Sequence, residues 1–126
     1  MAKVTGIGGI FFKCADTKQM KDWYATHLGF PITDYGTMFE GREMDDPDKT
    51  NYTLWSPFKQ DTKDFEPSQK DYMINYRVDN IEALVVELKN AGVTVLDEIT
   101  SYADYGKFVH ILDPEGNKLE LFEPAG

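Results

Sequence analysis

The chain has 126 residues, 41% apolar and 13% aromatic, and its 13 basic and 22 acidic side chains give a formal net charge of −9. This length suits one domain with a substantial core, and the composition excludes a disordered chain. The negative charge argues against a nucleic-acid partner and favours cationic or neutral ones. A lone cysteine, Cys14, excludes an intrachain disulfide. No leader or membrane-spanning run is visible, so we expect a cytoplasmic protein with no membrane partner.

The first half of the chain predicts a strand, a helix and three short strands. In the first strand, over residues 4–15, glycines at positions 6, 8 and 9 suit close approach of another backbone or a ligand. Asp16, with Gln19 three residues later, forms a capping-box pattern, and Gly29 ends the helix. The further strands are expected near residues 30–35, 38–44 and 51–55.

A connecting segment over residues 57–70 carries two prolines, several charges and little periodicity. Phe58 and Phe65 within it either cover the edge of a pocket or pin the segment to the body, and we favour the second. A strand over 72–78, a helix capped by Asp79 and Asn80 and ended by Gly92, and a strand over 93–99 follow. Residues 101–106 are expected to form a loop.

The last strand pair carries the most reactive combination of side chains. Residues 113–117, Asp-Pro-Glu-Gly-Asn, separate two strand-like runs and predict a β-hairpin. Such a loop places His110 opposite Glu120, with Cβ atoms about 5 Å apart. The carboxylate should raise the pKa of the histidine, which suits either a proton shuttle or a structural hydrogen-bonded pair.

An internal repeat relates the two halves. Asp16 and Asp79 are 63 residues apart, as are Gly29 and Gly92, which is half of the 126-residue chain. We therefore predict a single α+β domain over 1–126, built from two tandem βαβββ modules at about 1–56 and 71–126. Each sheet has one face free of its helix, and the two free faces should curl into a cupped, half-open mixed-sheet barrel with a cleft.

The two modules, together with residues 22–30 (DWYATHLGF) and 113–121 (DPEGNKLEL), resemble the vicinal oxygen chelate superfamily. Its members include glyoxalase I, bleomycin-resistance proteins, fosfomycin-resistance enzymes and extradiol dioxygenases. The resemblance covers nearly the whole chain and implies the glyoxalase-like fold and a homodimer. It implies less about a reaction, because the superfamily holds both enzymes and plain drug-binding proteins.

Enzymes of this superfamily hold a divalent metal with side chains at four strand positions. The resemblance places these positions at Gly9, near Thr53, near Met73 and at Glu120. Glu120 is the only retained metal ligand, so we expect no cofactor and no standard metal site. The alternative is a divalent metal held loosely by Glu120 and His110.

Strand parity predicts which side chains face the cleft and contact a ligand. The predicted set combines aromatic walls with a few polar groups, which is typical of a small-molecule pocket. Its members are Phe11, Thr53, Trp55, Met73, Asn75, Arg77 and Phe122, with Tyr105 on the loop that enters the hairpin and could close over a ligand. Several of these side chains can equally fill the barrel, and for Met73 we favour that interpretation.

Three functions are compatible with these residues. The first is a metal-independent binding protein of the bleomycin-resistance type that sequesters a small cationic or aromatic molecule. The second is a glyoxalase-like lyase or isomerase that uses Glu120 and His110 as acid and base. The third is a subunit or sensor that has lost catalysis.

Overall fold

The computed structural model describes residues 2–126, which form two helices and seven strands. In chain order they are β1 (Lys3–Cys14), α1 (Thr17–Leu28), β2 (Thr37–Arg42), β3 (Thr50–Lys59), β4 (Tyr72–Asp79), α2 (Ile81–Asn90), β5 (Thr100–Tyr102), β6 (Gly106–Leu112) and β7 (Lys118–Pro124). The strands form one open mixed sheet in the order β2-β3-β1-β4-β7-β6-β5. The β1–β3 and β4–β7 pairs are parallel and the others antiparallel. The predicted α+β class is confirmed.

Both helices begin at the residues that the sequence marks as caps. Asp16 Oδ1 accepts a hydrogen bond from the Gln19 backbone N–H at 3.0 Å, and Gly29 ends α1 in the left-handed conformation with φ of 71°. Asn80 Oδ1 accepts from the Ala83 N–H at 3.3 Å. Neither helix of the described chain has the length and apolarity needed to cross a membrane.

Both helices cover the same face of the sheet. Tyr24 of α1 lies 4.6 Å from Trp55 of β3, between ring centroids. Trp55 is in register with Ile10 of β1, which is in register with Ile74 of β4, so these side chains share a face. Val78 lies on that face of β4 too, and joins the core beneath α2 with Ile81, Val85, Val109, Ile111 and Leu121. The opposite side of the sheet is called the helix-free face below.

The predicted strand over residues 30–35 is absent from the described chain. Thr33 and Gly36 form an isolated bridge, in which the Thr33 N–H donates to the Gly36 carbonyl at 2.7 Å. Gly36 has a φ of 124°, a conformation that favours glycine and reverses the chain. Pro31 also lacks the N–H that a ladder requires. The first half therefore has two strands after its helix, where the sequence predicted three.

The predicted strand over residues 93–99 is reduced to one bridge, between Val95 and Ile111. After that bridge, the Asp97 carboxylate accepts the His110 backbone N–H at 2.8 Å, in place of a backbone carbonyl. The side chain interrupts the ladder at this point. Strand β5 then pairs with β6 over residues 100–102, most of which the sequence assigned to a loop.

The connecting segment is held to the helix-free face by an aromatic anchor. Phe65 is fully buried and packs on Phe11 and Met73, and its ring centroid lies 5.1 Å from that of Phe58. The interpretation that these aromatics pin the segment is confirmed. Phe58 itself belongs to β3, which continues to Lys59 and extends past the predicted start of the segment.

Candidate functional site

Three rows of side chains cross the helix-free face, because residues in register on neighbouring strands point to the same side. The central row consists of Leu54, Gly9, Asn75, Glu120 and His110. The row on one side, the buried row, consists of Ser56, Phe11 and Met73. The row on the other side, the arginine row, consists of Gly6, Arg77, Phe122 and Phe108.

The central row contains a continuous chain of side-chain hydrogen bonds. His110 Nδ1 lies 2.6 Å from Asp97 Oδ2, and His110 Nε2 lies 2.8 Å from Glu120 Oε2. The other oxygen of Glu120, Oε1, accepts from Asn75 Nδ2 at 2.6 Å. The predicted register that places His110 opposite Glu120 is confirmed. The imidazole bridges two carboxylates, and one of these also binds an amide.

The charge of His110 follows from this arrangement. Burial disfavours the imidazolium and lowers the pKa of His110, but the hydrogen bonds to Glu120 and Asp97 outweigh burial and hold the pKa above its ordinary value of 6.5. In the charged form, Nδ1–H donates to Asp97 and Nε2–H donates to Glu120. Both protons of the ring are therefore held by carboxylates, and the pair is available for proton transfer only by breaking one of these contacts.

Asp97 is the member of this chain that the sequence did not indicate. A regular strand over residues 93–99 would have placed Asp97 on the same side as Val95, which packs on the α2 core. An acidic residue at an apolar position of the alternation Val93, Val95, Asp97, Ile99 was the available signal. A carboxylate cannot stay unpaired in such a core, so the strand had to break there or supply a partner.

Glycines of β1 make room for the polar side chains of β4. The β1–β4 register shifts between Ile7 and Gly9. A Cβ atom on Gly8 would overlap Asn75 Oδ1, and a Cβ atom on Gly6 would overlap Arg77 Nη2. The sequence predicted close approach of another backbone or a ligand at these glycines, but two side chains of the neighbouring strand occupy the space instead.

Arg77 is a buried cation at the head of the arginine row, 7% exposed. Its Nη1 donates to the backbone carbonyls of Ile7 at 2.5 Å and Tyr52 at 2.8 Å, and lies 3.5 Å from Thr53 Oγ1. Its Nε lies 4.0 Å from Glu43 Oε1 and has no hydrogen-bond partner within residues 2–126. One edge of the guanidinium is thus fixed, and the other is unpaired.

The predicted position of Trp55 is wrong. It lies on the helix-covered face against Tyr24, because β3 meets β1 one residue out of the predicted phase. Leu54 takes the place on the helix-free face. Thr53 has the same parity as Trp55, yet its hydroxyl donates to the Ile7 carbonyl at 2.9 Å and lies 3.5 Å from Arg77 Nη1, just before the β1–β3 ladder begins at Gly9 and Leu54.

Phe11 and Met73 lie on the helix-free face as strand parity predicted, but both are buried beneath Phe65. The connecting segment covers both side chains on this face. Their place is in the core of this end of the sheet.

The remaining predicted ligand residues stay on the helix-free face or beside it. Phe122 is next to Arg77 in register and stacks on Phe108, with centroids 4.7 Å apart and an interplanar angle of 18°. Asn75 lies in the central row. Tyr105 is exposed in the turn between β5 and β6, where its carbonyl accepts the Ala125 N–H at 2.9 Å.

The residues do not fit the divalent metal that the superfamily's enzymes hold. The resemblance places its four ligands at Gly9, near Thr53, near Met73 and at Glu120, and of these only Glu120 has a carboxylate or an imidazole. Both oxygens of Glu120 are engaged, and Asp97 and Glu120 contact opposite nitrogens of His110, so the three side chains do not converge on one point. Over residues 2–126, no three His, Cys, Asp or Glu side chains are grouped to hold a metal ion.

Solved structures of similar architecture cover nearly the whole chain. Methylmalonyl-CoA epimerase of Streptomyces coelicolor in complex with 2-nitronate-propionyl-CoA matches with a TM-score of 0.71 and 17% identity, over 98% of this chain and 100% of that chain. The Mycobacterium tuberculosis methylmalonyl-CoA epimerase matches with a TM-score of 0.60 and 19% identity, over 98% and 90%. The Mn(II)-bound glyoxalase of Novosphingobium aromaticivorans matches with a TM-score of 0.64 and 18% identity, over 98% and 40%.

These identities show a shared fold alone, and they confirm the glyoxalase-like architecture. No curated protein matches the sequence. The family model of the Glyoxalase/Bleomycin resistance protein/Dioxygenase superfamily matches residues 6–121, which include both helices, Arg77, His110 and Glu120. The chain belongs to the Glyoxalase/Bleomycin resistance protein/Dioxygenase superfamily.

Proposed function

We propose that the protein binds a small organic molecule on the helix-free face, beside Arg77 and Phe122, without the divalent metal used by enzymes of its superfamily. One observation carries this proposal: Glu120, the only ligand-type residue at the superfamily's metal positions, has both oxygens bonded, to Asn75 at 2.6 Å and His110 at 2.8 Å. A metal ion would have to break both hydrogen bonds of Glu120, and no second or third protein ligand at these positions would offset the free energy lost with them.

The solved relatives support binding of a small molecule by this fold. The Streptomyces coelicolor epimerase holds an acyl-CoA analogue, and the Novosphingobium aromaticivorans glyoxalase holds Mn(II). The fold thus accommodates organic ligands and metals alike, and the residues on the face decide between them. Here those residues are an amide, a guanidinium, a stacked aromatic pair and a histidine bound by two carboxylates.

A second candidate function is a lyase or isomerase in which Glu120 takes a proton from the substrate and His110 supports the exchange. The contact of 2.8 Å between the two side chains and the raised pKa of His110 favour it. It ranks below metal-free binding, because both ring protons of His110 are held by carboxylates in the resting arrangement.

Elemental analysis of the purified protein, with Glu120→Ala as the matched variant, tests the metal-free proposal. We expect Mn, Fe, Ni and Zn well below one equivalent in both proteins, and ligand binding that a chelator leaves unchanged. Stoichiometric metal that disappears in Glu120→Ala would overturn the proposal.

Proton exchange separates binding from the second candidate. A bound small molecule is incubated with the protein in deuterated water, and its carbon-bound protons are followed by NMR. Exchange that stops in both Glu120→Gln and His110→Gln would establish acid–base chemistry, and binding without exchange would leave the protein as a binder.

We also propose the homodimer that the superfamily resemblance implies. Val4, Ile7 and Ile10 are 47%, 44% and 42% exposed on the helix-covered face of β1, although β1 is an interior strand of the sheet. A row of exposed apolar side chains there favours a covering partner, and a second copy supplies one. Light scattering should give twice the chain mass, and Ile7→Lys should give the single-chain mass. A monomeric unmodified protein would contradict the proposal.

A further inference from the structure

Arg77 carries a buried positive charge, and its counter-ion Glu43 lies at the outer limit of ion-pair distance. Its side chain is 9% exposed, and the nearest carboxylate oxygen, Oε1 of Glu43, is 4.0 Å from Nε, beyond hydrogen-bond distance. A buried guanidinium whose carboxylate partner is too far away to form a hydrogen bond is unfavourable, so a chain that keeps one gains something from it. A structural role explains only the Nη1 contacts to Ile7 and Tyr52.

The unpaired edge of Arg77 has the geometry of a carboxylate receptor. Nη1 donates its two hydrogen bonds to the backbone carbonyls of Ile7 and Tyr52, and Nε has no hydrogen-bond partner within the described chain. The Nε and Nη2 donors lie parallel along the remaining edge of the guanidinium, the arrangement that binds the two oxygens of a carboxylate.

This arginine is held in place before any ligand arrives. The carbonyls of Ile7 and Tyr52 fix Nη1, and Gly6 leaves the space in which Nη2 lies. Because the side chain is already ordered, a ligand would not have to restrict it further, and this favours affinity.

From these contacts we infer that the helix-free face receives a carboxylate-bearing ligand, with the carboxylate on the Nε–Nη2 edge of Arg77 in place of Glu43. This inference rests on the proposed function and names its ligand class. Glu43 is 23% exposed at its side chain and can turn to solvent when displaced. The net charge of −9 favoured a cationic ligand, whereas Arg77 favours an anionic one. The charge of Arg77 acts on a ligand at contact distance, while the charges on the protein surface are screened by salt.

The aromatic side chains beside Arg77 indicate which chemical group would accompany the carboxylate. Phe122 lies next to Arg77 in register and forms a stacked pair with Phe108. A planar apolar group attached to the carboxylate would lie along these rings. The site therefore fits a small aromatic carboxylate, for which benzoate is the simplest probe.

The Nε–H resonance of Arg77 gives a direct readout of the inference. Benzoate, benzyl alcohol and benzylamine, which share a ring and differ in charge, are titrated separately into the isotope-labelled protein. We expect benzoate to shift the Arg77 Nε–H proton downfield, as a new charge-assisted hydrogen bond requires, and to shift the ring protons of Phe108 and Phe122. Benzylamine should leave the Nε–H proton in place.

Two variants and a control sharpen the test. Arg77→Lys removes the Nε–H signal, which assigns it, and should weaken benzoate binding at least tenfold, because an ammonium lacks the parallel donors. Glu43→Gln removes the competing charge and should strengthen binding by about tenfold. Glu115→Gln, in the exposed hairpin turn, makes the same charge change elsewhere and should leave the affinity unchanged. A melting curve for each variant confirms that it is folded.

The three probes distinguish a failure of the carboxylate inference from a failure of the proposed small-molecule binding. If benzoate leaves the Nε–H proton unmoved in both the unmodified protein and Glu43→Gln, the carboxylate inference is wrong. Shifts of Phe108 and Phe122 by benzyl alcohol or benzylamine would then still support a ligand site on this face. If none of the three probes moves either ring, the proposed function fails as well.

Discussion

Asp97 holds His110 by two hydrogen bonds, one from the backbone N–H to Oδ1 at 2.8 Å and one between the ring Nδ1 and Oδ2 at 2.6 Å. The Asp97 carboxylate thus takes the place of the strand carbonyl that would accept the His110 N–H, and it also binds the imidazole ring. Glu120 binds the other ring nitrogen. The imidazole is therefore fixed on both sides, at Nδ1 by Asp97 in the segment before β5 and at Nε2 by Glu120 of β7.

The substitution Asp97→Asn should lower the pKa of His110. Burial, which depresses the pKa, would remain, and one of the two carboxylates that outweigh it would be gone. The amide oxygen can still accept the backbone N–H, so the sheet edge should stay intact. An NMR pH titration of the imidazole measures the change. Asp104→Asn, which removes a charge from the exposed turn after β5, is the control, and an equal shift there would show that no specific contact is involved.

The stability of the protein should fall as pH rises through the titration of His110. The pKa of His110 is raised above 6.5 in the folded chain, so the folded state binds the proton more tightly than the unfolded state does. The stabilisation is complete below the unfolded pKa and is lost as pH rises past the folded one. Each unit of difference corresponds to about 1.4 kcal/mol.

Denaturant unfolding of the unmodified protein and of His110→Gln, from mildly acidic to mildly alkaline pH, measures this effect. The difference in unfolding free energy between the two proteins should favour the unmodified chain most at the acidic end and shrink toward the alkaline end. A difference that is constant with pH, or that grows, would show that the carboxylates do not stabilise the imidazolium.

Local signals in the sequence predicted much of the fold. Asp16 and Gly29 delimit α1 because capping depends on residues within one turn. The register that pairs His110 with Glu120 follows from a turn motif closed within five residues. Each of these features depends on neighbours in the chain, which is why a single sequence reveals it.

Features that depend on distant contacts were not predictable in the same way. The phase of β3 was wrong at Trp55 because β3 pairs with β1 one residue out of the predicted register, Gly9 with Leu54, and counting along one strand cannot fix its register with a distant one. The sequence predicted that Phe65 pins the connecting segment but not that it covers Phe11, because a segment without periodicity does not show which side chains it will meet. Parity placed Phe11 on the right face, but burial on that face is a tertiary property.

The substitution Gly8→Ala should destabilise the protein by about 2 to 3 kcal/mol, because it forces a buried polar side chain to move. The new methyl group would overlap Asn75 Oδ1, and Asn75 is buried and bonded to Glu120. Chemical denaturation measures the loss. Gly41→Ala is the matched control, since its methyl group would meet only the end of the Asn51 side chain, and we expect a change within about 1 kcal/mol. Equal effects of the two substitutions would contradict the packing of Asn75 against β1.

The substitution Phe65→Ala should release the connecting segment from the helix-free face. Phe65 is fully buried against Phe11 and Met73, so its truncation leaves a cavity and should cost about 3 to 5 kcal/mol of unfolding free energy. Limited trypsin digestion should then cut at Lys63 and Lys70, on either side of the anchor, faster than in the unmodified protein.

Tyr35→Ala is the control for this release, because Tyr35 is 75% exposed in the turn after α1 and its truncation should change stability by less than about 0.5 kcal/mol. Its tryptic pattern should match that of the unmodified chain. If Phe65→Ala retained full stability and resisted trypsin at both lysines, the hydrogen bond from Lys118 Nζ to the Asp64 carbonyl, at 2.7 Å, and the other polar contacts of the segment would be enough to hold it. The aromatic anchor would then not be what closes this end of the sheet.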